Sequence, residues 1–205
     1  MCGRYYIDYE VDLVLQAIYE SLFQADPPAW AAAQRDVFPD TPAAVLVADG
    51  DGQRPVVKRW GVKRGNRSLV INARQETVET KPMFRAAFAP HRCVIPASGF
   101  YEWATAAGKK QKYRIKTKTA GPIYLAGLFL PDHEIDRYVI LTTASTGDMQ
   151  LIHHRSPVLL AADECQPYLH ALAFARQRIA RPNEPFRIEA DQSQGPVQLS
   201  FLDLP

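Results

Sequence analysis

Apolar residues recur at helical spacing in one early stretch of the chain. Residues 9–24 place an apolar stripe on one side of a predicted helix, with Asp8 as its N-cap. The stripe comprises Val11, Val14, Ala17, Ile18 and Leu22. Two further helices are predicted, one over residues 79–88 and one over residues 164–179 with Asp163 as its cap.

Most of the remaining chain has the short apolar or alternating runs that are typical of strands. Strands are predicted over residues 43–48, 55–60, 69–72, 93–95, 100–104, 112–118, 123–130, 137–143, 157–161 and 185–190. The first two flank Asp49-Gly50-Asp51-Gly52, a turn sequence that predicts a hairpin. Over residues 112–118 the charged side chains fall at even positions, so we expect them on one face of a strand.

Few helices and many short strands predict an α+β fold. We expect a single domain over residues 1–190, with a twisted, mostly antiparallel, barrel-like β-sheet flanked by a few helices, and a tail over residues 191–205. The chain has 205 residues and is 47% hydrophobic, which is enough for a substantial core. It contains neither an apolar run of about 20 residues nor a basic-then-apolar leader, so we expect a cytoplasmic protein and no membrane contact.

Cys2 carries the most distinctive chemistry in the sequence. Removal of the initiator Met1 would give residue 2 a free α-amine beside its thiol, a 1,2-aminothiol that no internal cysteine has. The amine can condense with an aldehyde, and the thiol can then close onto the imine carbon to give a thiazolidine ring. Ordinary pKa values of ~8 for the amine and ~8.5 for the thiol make both partly reactive at neutral pH. The alternative is a residue without a role on a frayed terminus.

Two segments carry polar residues in apolar surroundings. Asn72 and Arg74 lie two positions apart, so they leave the end of a strand on the same side. Glu102 has three aromatic neighbours, and partial desolvation there would raise the pKa of its carboxyl toward the range useful for proton transfer. The alternative for Glu102 is a strand carboxylate that pairs with a lysine.

His153 and His154 form a third polar segment. A histidine titrates near neutrality and can exchange protons with an amine or a sugar ring oxygen. On an extended backbone two neighbouring histidines point to opposite faces, so we expect only one of them in a site. A zinc site is the rival interpretation, but no HxH, HExxH or paired-cysteine spacing supports it. Cys93 and Cys165 are expected to be buried packing residues, and we expect no metal and no cofactor.

Six short motifs follow one another along the chain in a recognisable order. They are Met1-Cys2-Gly3-Arg4-Tyr5, Trp60-Gly61, Ile71-Asn72-Ala73-Arg74-Gln75-Glu76-Thr77, Gly99-Phe100-Tyr101-Glu102-Trp103, Leu141-Thr142-Thr143-Ala144 and Ile152-His153-His154-Arg155-Ser156-Pro157. Together they span residues 1 to about 160, and in this order they resemble the SRAP (SOS-response-associated peptidase) family.

The resemblance implies a protein that recognises abasic sites in single-stranded DNA and forms a covalent thiazolidine with them through Cys2. It would shield the lesion during the DNA damage response, in the nucleoid. Asn72 would hold the terminal amine or the new ring, and Glu102 would shuttle protons. His153 would assist opening of the deoxyribose. An imine that persisted would instead permit β-elimination, so AP lyase activity is also implied.

DNA contacts are implied for a further set of residues, in which arginines and lysines hold phosphates beside the lesion. The set is Arg4, Arg74, Arg155, Trp60, Lys63, Arg64 and Arg67. Residues 36–40 and 62–67 depart from the usual sequence of the family, so the loops that stack on DNA are altered. Basic residues in the second segment would offset lost stacking with phosphate contacts, with greater salt sensitivity as the consequence.

The tail contains a second resemblance. Gln198, Leu199, Phe201 and Leu202 resemble the peptide with which bacterial replication proteins bind the sliding clamp, with the last two apolar residues exchanged. Such a peptide places apolar anchors in a preformed groove. The alternative is a terminal strand that pairs with the core.

Two other functions compete with this interpretation. A thiol peptidase or N-terminal-nucleophile hydrolase would use Cys2 to attack an acyl carbon, with His153 as the base. A noncovalent single-stranded DNA-binding module would keep the fold with an inactive site. Blocking the terminal amine separates the first from the leading hypothesis, because it stops thiazolidine formation but not acyl transfer. We expect a monomer in each case.

Overall fold

A computed structural model describes residues 2–8, 12–23, 36–65, 68–106 and 108–191. The strands are β1 (Tyr5–Tyr6), β2 (Asp36–Val37), β3 (Pro42–Asp49), β4 (Gly52–Trp60), β5 (Val62–Arg64), β6 (Ser68–Val70), β7 (Asn72–Arg74), β8 (Arg92–Ala97), β9 (Gly99–Ala106), β10 (Lys109–Thr117), β11 (Ile123–Leu130), β12 (Arg137–Ala144), β13 (Arg155–Pro157), β14 (Leu159–Leu160) and β15 (Phe186–Ala190). The helices are α1 (Leu13–Phe23), α2 (Pro82–Phe88), α3 (Met149–Ile152), α4 (Cys165–His170) and α5 (Leu172–Ala180), with 3₁₀ turns at Gln75–Thr77 and Ala162–Glu164. The predicted α+β class is confirmed.

Five strands close into a ring. The order of pairing around the ring is β12, β4, β3, β8 and β11. Strand β11 also pairs with β12, from Gly127↔Ile140 to Leu130↔Arg137, and this pairing closes the ring. Only the β12–β4 contact is parallel among these five. A closed ring leaves these strands without a free edge where they pair, and this architecture matches the predicted barrel-like sheet.

Strand β12 changes partners beyond the ring. Its second half pairs in parallel with β7, at Ile140↔Asn72, and antiparallel with β13, at Ala144↔Arg155. These two pairings bring Asn72 and the residues around Arg155 to the same end of the ring, although they are far apart in sequence.

A second sheet fixes the amino-terminal segment. Its strand order is β15-β10-β9-β1-β2, and Tyr5 of β1 lies between Phe100 of β9 and Val37 of β2. The main chain of Tyr101 also donates a hydrogen bond to the Arg4 carbonyl at 2.9 Å. The chain is therefore ordered from Cys2 onward and not frayed, because β1 pairs with a strand on each side.

The core connects the ring with the second sheet. Trp60 and Tyr138 are fully buried and lie face to face at 6.4 Å, and the hydroxyl groups of Tyr5 and Tyr138 are hydrogen-bonded at 2.6 Å. Cys93 and Cys165 are buried within β8 and at the start of α4, as predicted. No helix within the described ranges has the length and apolar character to cross a membrane.

The first helix differs from the prediction. It begins at Leu13 and is capped by Asp12, whose carboxylate accepts hydrogen bonds from the main chain of Val14 and Leu15 at 3.1 and 3.3 Å. The predicted cap, Asp8, instead donates its main-chain N–H to Ser98 at 2.8 Å. Leu15 is buried and Val14 exposed, so the predicted stripe was wrong at this end. Val11 lies outside the described residues.

Two other predicted elements are divided. The helix expected over residues 164–179 is broken at Ala171, where φ is −107° and ψ is 106°, into α4 and α5. Asp163 lies in the preceding 3₁₀ turn and makes no side-chain cap. The strand expected over residues 69–72 is two strands, since β6 pairs with β5 and β7 pairs with β12. Local pattern cannot reveal a change of pairing partner, because both strands satisfy the same alternation.

Candidate active site at the amino terminus

Cys2 is anchored at the entrance to β1. Its side chain is fully buried, its thiol lies 3.8 Å from the Arg4 carbonyl, and its own carbonyl accepts a hydrogen bond from Asn72 Nδ2 at 3.0 Å. Burial raises the pKa of the Cys2 thiol well above its ordinary value, and the negative charge of Glu102 raises it further. The thiol is therefore held in its neutral form.

Asn72 reaches Cys2 because β7 lies beside β12 at the end of the ring. The Asn72 side chain donates one hydrogen bond to Cys2, and its Oδ1 atom is buried without a hydrogen-bond partner among the described residues. An unpaired acceptor costs free energy unless a donor reaches it. An amine next to Cys2 is one donor of that kind.

Glu102 lies on β9, next to β1 in the sheet. Its side chain is buried, and desolvation raises the pKa of the carboxyl above 4.5. The positive charge of His154 opposes this shift, and the charge of Glu102 in turn raises the pKa of the Cys2 thiol. The carboxyl thus lies within electrostatic reach of both Cys2 and the histidine segment.

His153 follows α3 and precedes β13. The main-chain N–H of Arg155 donates to His153 Nδ1 at 2.9 Å, while the Arg155 carbonyl lies 3.2 Å from the same nitrogen. Nδ1 cannot accept and donate at once, and the N–H is always a donor, so we assign the neutral ring its hydrogen on Nε2. Desolvation lowers the pKa of His153 below 6.5, and the charges of His154 and Arg155 lower it further, while a hydrogen bond to the Arg155 main chain opposes the shift.

His154 does not point away from His153, contrary to the prediction for an extended backbone. The two rings are stacked with centroids 4.4 Å apart and planes 24° apart. His154 lies in a bend rather than in a strand, so strict alternation does not apply. Sequence reasoning therefore missed His154 as a neighbour of the site.

Arg155 is held inside the protein rather than presented to solvent. Its guanidinium makes a two-point ion pair with Glu76 at 2.6 and 2.9 Å, and also donates to the Thr142 carbonyl at 2.6 Å. The predicted phosphate contact of Arg155 is not supported by this placement, because the guanidinium is buried and bound to Glu76 and Thr142. Glu76 lies inside one of the quoted motifs, but nothing in the local pattern indicated its partner.

Arg4 and Arg74 lie closer to the surface. The Arg4 guanidinium lies over the rings of Phe38 and Trp103, with its central carbon 4.3 and 5.2 Å from the two ring centroids. One of its nitrogens lies 3.5 Å from the Asp36 carboxylate. Arg74 is exposed at the end of β7. The phosphate contacts of both side chains remain predictions.

The remaining predicted DNA contacts are dispersed. Trp60 is fully buried and donates its indole N–H to the Ile71 carbonyl at 3.0 Å, so it cannot stack on a base without leaving the core. Lys63 and Arg64 are exposed on β5, and Arg67 lies outside the described residues.

The basic strand β10 presents its charges on one face, as predicted, but they are largely paired. Lys112 is buried, 3.0 Å from Asp191 and 3.7 Å from the centre of the Tyr101 ring. Arg114 lies over the ring of Tyr6 at 4.6 Å. Within the described part of the chain, no three His, Cys, Asp or Glu side chains are grouped in a way that could hold a metal ion.

Comparison with protein families matches residues 1–194 to the family described as SOS response associated peptidase (SRAP). The abasic site processing protein YoaM of Bacillus subtilis is 32% identical over 184 residues, which cover 83% of this chain and 79% of YoaM. The abasic site processing protein YedK of Escherichia coli is 29% identical over 116 residues, which cover 54% of this chain and 52% of YedK.

A solved structure shows the same fold. The crystal structure of a Bordetella bronchiseptica protein aligns with a TM-score of 0.74 at 24% identity, over 93% of this chain and 100% of that one. The family match covers nearly the whole sequence, including all six motifs. The chain therefore belongs to the SOS response associated peptidase (SRAP) family.

Proposed function

We propose that this protein recognises abasic sites in single-stranded DNA during the DNA damage response and forms a covalent thiazolidine crosslink with them through Cys2, after Met1 is removed. The observation that carries the proposal is the anchoring of Cys2 by Asn72, with the charge of Glu102 acting on the Cys2 thiol and His153 stacked on His154, whose charge acts on Glu102. The names of YoaM and YedK as abasic site processing proteins support it.

The first step opens the sugar. An abasic deoxyribose is mostly a closed hemiacetal, so the ring must open before an amine can attack the aldehyde. The Nε2–H of His153 can donate a hydrogen bond to the ring oxygen, while a base takes the proton of the 1-hydroxyl group and returns it to the ring oxygen as the C–O bond breaks. The aldehyde forms without gain or loss of atoms.

The second step builds the new ring. The α-amine of Cys2 adds to the aldehyde carbon, and the resulting carbinolamine loses water to give the imine, with Glu102 supplying the proton that leaves with the hydroxyl group. The thiol sulfur then adds to the imine carbon as its proton passes to the nitrogen. Protein and DNA are joined with the loss of one water molecule.

The neutral thiol favours this chemistry over the peptidase alternative. A cysteine protease needs a thiolate, which forms where a cation lowers the thiol pKa. Here burial and Glu102 both raise the pKa of Cys2. In thiazolidine formation the amine attacks first and the thiol only traps the imine beside it, so a neutral, closely held thiol suffices.

AP lyase activity is the branch of the same mechanism in which the imine is not trapped. An imine acidifies the adjacent carbon, so a base can remove its proton and expel the 3′ phosphate. After Met1 removal the thiol and the amine of Cys2 stand on adjacent carbons, and the thiol is buried, which favours ring closure over this elimination. The stable crosslink is therefore proposed as the main product.

Contacts to DNA are proposed for the exposed cations near the site. Arg4 and Arg74 would bind phosphates beside the lesion, and Phe38 offers an exposed apolar face next to Arg4. Lys63 and Arg64 would add weaker, salt-dependent contacts farther away. This leaves Trp60 and Arg155 with structural roles.

The test is intact-mass spectrometry before and after incubation with a single-stranded oligonucleotide that carries one abasic site. We expect loss of Met1 and then an adduct of protein plus oligonucleotide minus one water, absent from Cys2→Ala. An oligonucleotide with a reduced abasic site, which has no aldehyde, is the matched control. A processed protein that forms no adduct would overturn the proposal and favour the noncovalent module or the hydrolase.

A contact with the sliding clamp remains a prediction. The residues that suggest it, Gln198, Leu199, Phe201 and Leu202, lie outside the described residues. Binding of the full chain to a bacterial sliding clamp, compared with Phe201→Ala, would test it by calorimetry. The monomeric state likewise remains a prediction, to be measured by light scattering.

A further inference from the structure

Glu76 lies on the segment that links the two sides of the site. Four residues before it, Asn72 holds the Cys2 carbonyl at 3.0 Å. Glu76 itself, in the 3₁₀ turn Gln75–Thr77, accepts two hydrogen bonds from Arg155 at 2.6 and 2.9 Å. One short segment therefore contacts both the residue proposed as the nucleophile and the strand that follows His153.

We propose that Glu76 is a positioning residue for His153. The Glu76–Arg155 ion pair fixes the start of β13, and the main-chain N–H of Arg155 holds Nδ1 of His153 at 2.9 Å. Glu76 thereby sets the tautomer and the direction of the imidazole without touching it. The effect of Glu76 on catalysis rests on the function proposed above, whereas its effect on the His153 ring does not.

Burial distinguishes this ion pair from an ordinary surface pair. The Arg155 side chain is only 9% exposed, whereas Arg176, which binds Glu79 at the same distance of 2.6 Å, is 56% exposed. A buried guanidinium that loses its carboxylate keeps an uncompensated charge and must move toward water. Because Arg155 begins β13, such a movement would pull on the main-chain N–H that holds His153.

Charge couples the ion pair to His153. The hydrogen bond from Arg155 lowers the pKa of Glu76, so Glu76 is a carboxylate at neutral pH. The charge of Arg155 also acts on His153, whose pKa it lowers. Removal of the Glu76 charge releases Arg155, and the main-chain N–H that selects the Nε2 tautomer is then no longer fixed.

The experiment is an NMR titration of the His153 ring in the full chain, comparing the wild type with Glu76→Gln. Glu79→Gln, which removes the neighbouring exposed pair, is the matched control. In the wild type and in Glu79→Gln we expect the ring nitrogen shifts of a single tautomer with hydrogen on Nε2. In Glu76→Gln we expect a mixture of tautomers and a changed pKa for His153.

Activity provides the second readout. The crosslinking rate of Glu76→Gln should fall by about 10- to 100-fold, the scale expected for a misplaced catalytic group, and the acidic limb of its pH profile should shift with the pKa of His153. If Glu76→Gln does not fold, Glu76→Asp, which keeps the charge with a shorter reach, should retain the tautomer only partly.

An unchanged His153 tautomer and pKa in folded Glu76→Gln would overturn the inference. The NMR measurement needs no DNA, so its result is independent of whether a crosslink forms. A wild-type protein that makes no crosslink but shows the predicted change in Glu76→Gln would refute the proposed function and leave the positioning role intact.

Discussion

Among single residues, burial sets the chemistry of the site. Desolvation raises the pKa of the Cys2 thiol and of the Glu102 carboxyl and lowers that of the His153 imidazole. Each shift favours the neutral form of its group. The site is thus suited to exchanging protons between neutral partners rather than to presenting a permanent thiolate.

Thiol accessibility gives the first prediction. Cys2, Cys93 and Cys165 are all buried with raised pKa values, so the native protein should react slowly with iodoacetamide at neutral pH. The unfolded chain in guanidinium chloride should take up three adducts. Counting adducts by mass spectrometry checks this, and rapid modification of Cys2 in the native protein would favour the peptidase alternative instead.

Glu102 should show a conflict between stability and activity. Its pKa is raised in the folded state, so the folded protein binds the proton more tightly and the unfolding free energy falls as pH rises above about 4.5. Glu102→Gln removes this effect. We expect a higher Tm than wild type at neutral pH, no gain below pH 4.5, and a crosslinking rate about 100-fold lower.

Calorimetry across this pH range and a gel assay for the crosslink measure both quantities. Glu189→Gln is the control, because Glu189 is an exposed carboxylate on β15 that pairs with Arg187. It should leave Tm and rate close to wild type. A lower Tm for Glu102→Gln at neutral pH would mean that the buried carboxylate is stabilising.

At the level of secondary-structure elements, polar side chains hold the ends of helices and the contacts between elements, and the local sequence pattern does not identify these side chains. Arg92 on β8 donates hydrogen bonds to the carbonyls of Phe88, Tyr168 and Leu169 at 2.6 to 3.0 Å, and so binds the carboxyl ends of α2 and α4. Its sequence neighbourhood, an apolar strand, gives no sign of these partners.

The cap of α1 gives a prediction at this level. Asp12→Ala removes a carboxylate that accepts from the main chain of Val14 and Leu15, and should lower the unfolding free energy by about 1 kcal/mol. Glu20→Ala, on the exposed face of the same helix, is the control and should stay within about 0.5 kcal/mol of wild type. Urea unfolding monitored by circular dichroism measures both. Equal effects would show that Asp12 is not the cap.

In the whole molecule, ring closure brings the site residues together. Strand β11 passes between β8 and β12 at Gly127, where an added Cβ would lie 2.5 Å from Ile95 Cδ1 and 2.8 Å from the Val139 carbonyl. No side chain fits there unless the neighbouring strand shifts. Strand β12 also pairs with β7 and β13. A shift where β11 and β12 close the ring would therefore move Asn72 and Arg155.

Gly127→Ala should therefore destabilise the protein by about 1 to 3 kcal/mol or more and reduce crosslinking beyond what the unfolded fraction explains. Gly52→Ala, where the nearest atom to the new Cβ is 3.6 Å away, is the control. Urea unfolding and the crosslinking rate per folded molecule are the measurements. A stability loss without a loss of rate would show that the closure does not position the site.

The sequence by itself determined the α+β class, most strand positions, the burial of Cys93 and Cys165, and the family, because alternation and short motifs are local signals. Only the tertiary structure decided the positions of Trp60, Arg155, Glu76 and His154. Whether an indole is buried, or which carboxylate neutralises a guanidinium, depends on strands that are distant in sequence and meet when the ring closes. A local pattern specifies a face of a strand, but the neighbour across that face is set by packing.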